Sequence, residues 1–451
     1  MKTAVSIFCG CGGLDLGFQS QGVEIVYACD HDEHAIDCYR RNVDQRAWVR
    51  DVTSDLFHSD VKNIGACDLV LGGFPCQGFS KAGPKMASDA RNSLYREMLE
   101  VVRQLRPRLF LAENVDGLSQ NFQGSILAQI VADFRKIGYE VEHRILDAVS
   151  FGVPQHRRRI FFAGYPAARR AIGFPWPSAT HVSRTRNGEF KIGSYESTPS
   201  LFDRPSVEIR KPQRQPRTIR DAISDLVELS EAVPDHAVTS AWPKKYEAVF
   251  RGIGAGQKLC NVRHASTSVY TWQFPSVFGE VSPRQTQILE TIAKHRRHKQ
   301  YGDIPNGNPL PIGEIERLTG LSEISLDLDA LMSTGYLKMI DGKHDLKGAM
   351  FCSGLFKRPL WGEPAPTVLT NFHNPRYFLH PTKDRPFSLR ECARLQSFPD
   401  TFRITAADSA VDLVSGYRLV GNAVPPLLAS VIAQSAIQFL GAESFKVEAA
   451  S

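Results

Sequence analysis

The chain has 451 residues, more than one typical domain needs, so two compact units are expected. A formal net charge of +6 is mildly basic, which suits a nucleic-acid partner without requiring one. Nine cysteines, an odd number without framework spacing, argue against a disulfide scaffold and for a reducing cytosol, and neither a signal peptide nor a membrane span is expected.

In chain order, Ala4–Phe8 reads as a strand running into the glycine-rich turn Cys9–Phe18, which opens a helix. Glycines there let the backbone approach a ligand, and the helix start offers unpaired N–H groups. A second strand, Glu24–Cys29, ends at Asp30, where folds of this kind bind ribose hydroxyls. Strand, turn, helix, strand and acid in this order indicate an adenosine-containing ligand. The turn is not a GxxxxGK[ST] phosphate loop, which disfavours a nucleotide triphosphatase. Cys9 and Cys11 sit within the turn, but no second cysteine pair completes a ligand set, so no metal site is expected.

The apolar run Asp68–Leu71 reads as a buried strand leading into Gly72–Ser80. Cys76 then stands on the loop leaving a strand end, among glycines, a proline and small polar residues that expose a sulfur. It is a candidate nucleophile; the alternative is a small buried cysteine beside a turn, the usual state of a free thiol. Arg108–Val115 is another apolar strand, ending in Glu113 and Asn114. Because the carboxyl ends of parallel strands converge on one crevice, the glycine turn, Cys76 and Glu113 should meet. A further strand, Arg159–Gly164, follows Pro154-Gln155-His156-Arg157-Arg158-Arg159, whose arginines suit an anionic partner such as a phosphate backbone.

Beyond Tyr165 the composition changes, with Pro, Arg, Thr and Ser frequent at first. Thr218–Leu226 reads as a short amphipathic helix capped by Thr218. From Ser282 to Leu346 three helices and a hairpin are predicted: Arg284–Lys299, Ile312–Gly320, Ser322–Gly335, then Tyr336–Ile340 and Lys343–Leu346 about the turn Asp341-Gly342. This outline suggests a winged helix. Its third helix carries Glu323, Asp327 and Asp329, which would repel phosphates. Lys294, Arg296, Arg297, Lys299 and the hairpin lysines are the better DNA contacts, unless the module is a structural or protein-binding insert.

Taken together, Phe8–Gly17, Gly72–Ser80, Glu113–Val115, Gln155–Arg159, Arg390–Pro399 and Gly421–Pro426 resemble, in order and across nearly the whole chain, the S-adenosylmethionine-dependent DNA (cytosine-5)-methyltransferases. The resemblance implies an α/β fold: a Rossmann-like domain with a mixed, mostly parallel sheet at 1–165, a target-recognition region at 166–389 with the candidate winged-helix module at 282–346, and closing motifs at 390–451. It implies that Cys76 adds to carbon 6 of a flipped-out cytosine, that Glu113 supplies a proton at ring nitrogen 3, and that Arg157 and Arg159 brace the base carbonyl and adjoining phosphates. Phe8, Gly10, Gly12, Gly13, Leu14 and Pro75 would line the methyl donor, with Asp30 on its ribose, Asp51 and Val52 at its adenine, and Asn422 and Val424 closing the pocket. His31 stands where relatives carry an aromatic that stacks on adenine.

The expected partner is double-stranded DNA, with a cognate restriction endonuclease acting separately, no membrane, and a monomer in the bacterial cytoplasm associated with the nucleoid. A tRNA cytosine-5 methyltransferase and a non-catalytic winged-helix regulator are the alternatives.

Overall fold

The computed structural model describes residues 1–75, 94–119, 125–184, 190–191, 214–226, 228–239, 242–304, 307–347, 354–406 and 411–442. Two compact units are found: 1–237 with 362–371 and 388–451, and 238–361 with 372–387.

The first unit is built on a seven-stranded sheet of order β3-β2-β1-β4-β5-β7-β6. Its strands are β1 (Lys2–Ile7), β2 (Val23–Asp30), β3 (Ala47–Val49), β4 (Leu69–Gly72), β5 (Leu109–Val115), β6 (Tyr139–Asp147) and β7 (Arg158–Pro166). Six run in one direction, and β7 lies antiparallel between β5 and β6. The central strands are buried on both faces, which explains why they read as unbroken apolar runs. Alternation still divides them: Leu69 and Leu71 join one core with Phe18, Ile36 and Ile432, while Val70 joins another with Phe57, Met98 and Phe134. Helices α1 (Gly13–Gln19) and α2 (Glu33–Asn42) thus cover one face, and α3 (Asp55–Ile64), α4 (Tyr95–Leu105) and α5 (Ser125–Lys136) the other.

The helix Pro426–Gly441 packs beside α1 so closely that a Cβ on Gly17 would stand 2.4 Å from that of Ala429. The run Leu413–Gly441 is long and apolar enough, by composition, to cross a membrane. It is interrupted before Pro426, however, and Leu428, Ile432, Ala436 and Phe439 are buried in the core. Its apolarity is accounted for by packing.

A titratable group, Asp15, sits beneath this face. Asp15, fully buried in α1, accepts hydrogen bonds from Ser6 Oγ (2.8 Å) and Tyr39 Oη (2.7 Å). Burial outweighs both donors and pushes its carboxyl up to about 6.

The sequence places a boundary near residue 165, yet 166–237 clusters with the first unit. Buried polar groups explain the difference. Glu142 on β6 accepts from Phe174 N (2.8 Å) and Trp176 Nε1 (3.0 Å). Arg390, fully buried, reaches Asp235 Oδ2 at 2.9 Å and donates to the carbonyls of Pro234 and Phe402. The short helix Ile219–Ile223 forms with a Thr218–Asp221 capping box, as its sequence suggests.

In the second unit the helices Pro283–His295, Ile312–Thr319 and Ser325–Ser333 share a core with the hairpin Leu337–Ile340/Lys343–Leu346. The third helix starts later than predicted because Glu323 adopts φ 54°, outside helical space. The first helix stops at His295, and the next residue turns inward. Arg296 is buried and doubly paired with Asp345, at 2.7 and 2.8 Å, which removes it from the expected phosphate contacts. Lys294, Arg297 and Lys299 stay exposed. Asp327 pairs with Arg284 at 2.6 Å, so its charge is not presented alone.

Two outcomes follow for stability. Arg296→Gln should cost about 3–5 kcal/mol in the second unit by leaving the buried Asp345 with only the distant Lys338, at 4.0 Å, as a charged partner, whereas neutralising Lys294, Arg297 and Lys299 should each change stability by less than about 0.5 kcal/mol; thermal melts of the variants check this. For Asp15, the native form holds its proton more tightly than the unfolded chain, so its contribution is greatest below pH ~4 and lost as pH rises through about 6. Relative to Asp15→Asn, the wild type should lose about 3 kcal/mol across that window, as read from urea melts at a series of pH values.

Candidate active site

The carboxyl end of β1 passes into a turn with Phe8 at φ 55°, Gly10 at φ 56° and Gly12 at φ 91°. Gly12 caps α1 in a left-handed conformation, and a Cβ there would lie 2.6 Å from Val43 and 2.9 Å from Tyr39. The turn is stitched to the end of β2. Cys9 N–H donates to the Cys29 carbonyl, and Gly10 N–H donates to Asp30 Oδ2 at 3.0 Å. Asp32 N–H donates to the other Asp30 oxygen at 3.0 Å, and His31 Nδ1 stands 3.2 Å from it. The Asp30 carboxylate is thereby fixed from both sides.

Beside it opens a cavity of about 430 Å³. Phe8, Gly10, Gly13, Leu14, Asp30 and His31 form one wall; Pro75, Glu113 and Arg159 form another; Asn422 and Val424 reach it from the far end of the chain. The sequence also nominates Gly12, Asp51 and Val52, which the structure places outside this lining. Gly12 shapes the backbone behind it. Asp51 Oδ1 accepts from Thr53 N (2.9 Å) and Thr53 Oγ1 (2.8 Å), closing a local turn after β3. Val52 packs in the core with Phe57.

Register explains the acidic wall. On the β5–β7 ladder Glu113 faces Phe161 and Val115 faces Arg159, so Glu113 and Arg159 are diagonal neighbours on one face. Arg159 Nε lies 2.9 Å from Glu113 Oε1, and both side chains are largely buried. Burial pushes the Glu113 carboxyl above its usual range, with Arg159 and Arg157 pulling the other way. Asn114 Nδ2 donates to the Phe74 carbonyl at 2.9 Å, pinning the backbone just before Pro75. The sequence shows Asn114 at the strand end without showing this task. Cys76, directly after Pro75, lies outside the described residues.

Arg157 does not reach the cavity. It is fully buried and donates to the carbonyls of Val368 (3.2 Å) and Gly421 (2.9 Å), with its guanidinium pKa pulled well down by burial. Its position in the alternating strand entry turns it to the interior, so it anchors the returning chain where the sequence suggested a substrate contact. Gln155 does similar work: Nε2 bonds Leu395 O (3.0 Å) and Gln396 Oε1 (2.6 Å), while Gln396 Nε2 bonds Val420 O (2.6 Å). Asp32 and Arg418 also line the cavity, and nothing in their local sequence marks them.

The arrangement offers a carboxyl raised above its usual range by burial next to a guanidinium, a small-molecule cavity, and a fixed acid at a strand end. A family model for C-5 cytosine-specific DNA methylase matches residues 2–438. The Type II methyltransferase M.AgeI of Thalassovita gelatinovora is 32% identical, over 96% of this chain and 99% of that one. M.HgiCI of Herpetosiphon aurantiacus, also a Type II methyltransferase, is 27% identical over 96% and 97%. A solved structure described as a DNA modification methyltransferase encoded within an E. coli prophage shares the fold, with TM-score 0.52 at 22% identity over 98% of this chain and all of that one. With a sheet, a cavity and six ordered motifs in agreement with a match across nearly its whole length, the chain belongs to the C-5 cytosine-specific DNA methylase family.

Proposed function

We propose that this protein methylates carbon 5 of a cytosine flipped out of a specific duplex DNA sequence, using S-adenosylmethionine, as the modification half of a restriction-modification system whose endonuclease is a separate protein. The observation that carries the reading is the buried Glu113–Arg159 pair in the same cavity as the glycine turn and Asp30. The relatives' names, Type II methyltransferases, support the biological setting.

The cavity fits the methyl donor. Its volume falls in the range of small-ligand sites, the turn and the start of α1 present backbone to a ligand, and Asp30 is oriented for a ribose diol. Asp30 suits a ligand that carries positive charge, whereas Asp32 is already paired with Arg418. Bound there, S-adenosylmethionine supplies a methyl group activated by its sulfonium.

Carbon 5 of cytosine is too weak a nucleophile to take that group unaided. Cys76, as thiolate, would bond to carbon 6, and the ring electrons shift toward nitrogen 3 and make carbon 5 nucleophilic. Glu113 holds a proton at nitrogen 3 and relieves the developing charge, a role its burial favours by raising the carboxyl. Arg159 fixes the Glu113 carboxyl and stands ready for the base carbonyl. Once carbon 5 is methylated, its proton leaves, the carbon–sulfur bond breaks and the Cys76 thiolate is restored.

Cys76→Ser should lower methyl transfer by roughly 10³-fold or more, and DNA carrying 5-fluorocytosine at the target should trap wild-type protein as an adduct that survives denaturation. Tritium incorporation and denaturing gels read both. Glu113→Gln should lower the rate by roughly 10²–10⁴-fold. Because the protonated carboxyl is the working form, wild-type activity should fall as pH rises through the elevated Glu113 pKa, and the Gln variant should lack that alkaline decline. Bisulfite sequencing of plasmid from expressing cells should show one short methylated sequence, with little incorporation into bulk tRNA; comparable incorporation into tRNA would favour the RNA-methylating branch instead.

A further inference from the structure

Among the described residues two arginine–carboxylate pairs line the cavity, beside the His31–Asp30 contact, and of these two Glu113–Arg159 has its place in the chemistry above. The second joins Arg418, on the helix Leu413–Asn422, to Asp32, in the turn after β2. Glu113 lies near the end of β5 and Asp32 follows β2, and three strand spacings separate those strands in the sheet. At about 4.8 Å per spacing the two pairs stand roughly 14 Å apart, at opposite ends of the cavity. Arg418 and Asp32 therefore belong to the end that holds Asp30.

We propose that the Arg418–Asp32 pair is a latch on the methyl-donor end of the cavity, governing donor entry and the exit of the demethylated product, with Arg418 as a positioning residue. The inference rests on the donor being bound as proposed above.

Asp32 divides its labour between two oxygens. Oδ1 accepts from His34 N (3.1 Å) and Ala35 N (3.4 Å) and so caps α2, while Oδ2 meets Arg418 Nη1. The latch can open without uncapping the helix. Arg418 Nη2 also stands 3.5 Å from His34 Nδ1. The Arg418 side chain is 41% exposed, against 16% for Asp32, so the pair sits at the cavity mouth where water can compete for it. Pairs of that kind are weak enough to open in each catalytic cycle.

Both partners are coupled to donor-facing groups. Arg418 precedes Asn422 by four residues, one helical turn, so the two share a face, and both line the cavity with Leu419. Asp32 N–H holds an oxygen of Asp30. Closing the latch draws the Asn422 wall and the Asp30 wall onto one ligand, and opening it releases both.

The test uses full-length protein with Arg418→Ala, Arg418→Lys, Asp32→Asn and the double variant Arg418→Ala/Asp32→Asn. Asparagine retains the capping oxygen, and Arg418 is exposed enough that truncation leaves the fold intact, which melting curves verify. Calorimetry with S-adenosylhomocysteine gives affinity, stopped-flow displacement gives its dissociation rate, and steady-state methylation separates KM from kcat. The expected result is about three- to tenfold weaker binding in each single variant, with faster dissociation and the change falling on donor KM. The double variant should be no worse than either single one, because they remove the same pair, and Arg418→Lys should recover part of the loss. Unchanged affinity and dissociation in Arg418→Ala and Asp32→Asn would overturn the latch, as would losses that add in the double variant. If the wild type itself bound neither S-adenosylhomocysteine nor S-adenosylmethionine, the functional reading would fail, and the latch with it.

Discussion

The cavity depends on one constraint: the last part of the chain must be held against the first. Val424 and Asn422 help line a pocket whose other wall begins at Phe8, more than four hundred residues earlier. Buried hydrogen bonds to backbone carbonyls do most of this work. Arg157 reaches the carbonyls of Val368 and Gly421, and the amides of Gln155 and Gln396 link the entry of β7 to Leu395 and Val420. Glycine makes the approach close enough. A Cβ on Gly13 would stand 2.3 Å from the Val424 carbonyl, and one on Gly421 would stand 2.5 Å from Thr370 N. Unpaired, such polar groups would each cost on the order of 1–3 kcal/mol, so the return path tolerates few alternatives.

The same economy of partners shapes the acidic wall. Burial alone would leave the charged form of a carboxyl without any stabilising neighbour. Glu113 is buried enough to be raised, while Arg159 at 2.9 Å limits the rise and fixes its orientation. Removing the arginine would let burial raise the carboxyl further and free its orientation.

Much of this was legible in the sequence, for a physical reason. Strands buried on both faces must be apolar throughout, so β1, β2, β4, β5 and β7 announced themselves, and the polar residues at the carboxyl ends of the parallel ones could be assigned to one crevice, which Arg159 reaches from the amino end of the antiparallel β7. The glycine turn and the Thr218 cap have local signatures as well. What the sequence hid were side chains whose role depends on a distant partner. Arg157 and Arg296 look like solvent or phosphate arginines until Gly421, Val368 and Asp345 are seen around them. Ser6 and Tyr39, the donors that close over Asp15, lie on other elements and leave no mark on its own helix. The membership of 166–237 in the first unit turns on Glu142, Arg390 and Asp235, pairings separated by up to 155 residues. Local pattern carries no trace of them. Cys76 is the reverse case: its motif is the plainest in the chain, and its surroundings lie outside the described residues.

The packing of Pro426–Gly441 against α1 has a consequence for how the protein is made. Phe18 and Ile25 share a core with Leu428 and Ile432, so the face of the sheet they occupy lacks part of its cover until those late residues have left the ribosome. At about 5–20 residues per second the wait is roughly 20–80 s. During it the nascent chain carries an uncovered apolar surface, a natural substrate for chaperones. Premature stop codons anywhere upstream of the final helix would therefore yield a chain prone to aggregation, and no partly active fragment.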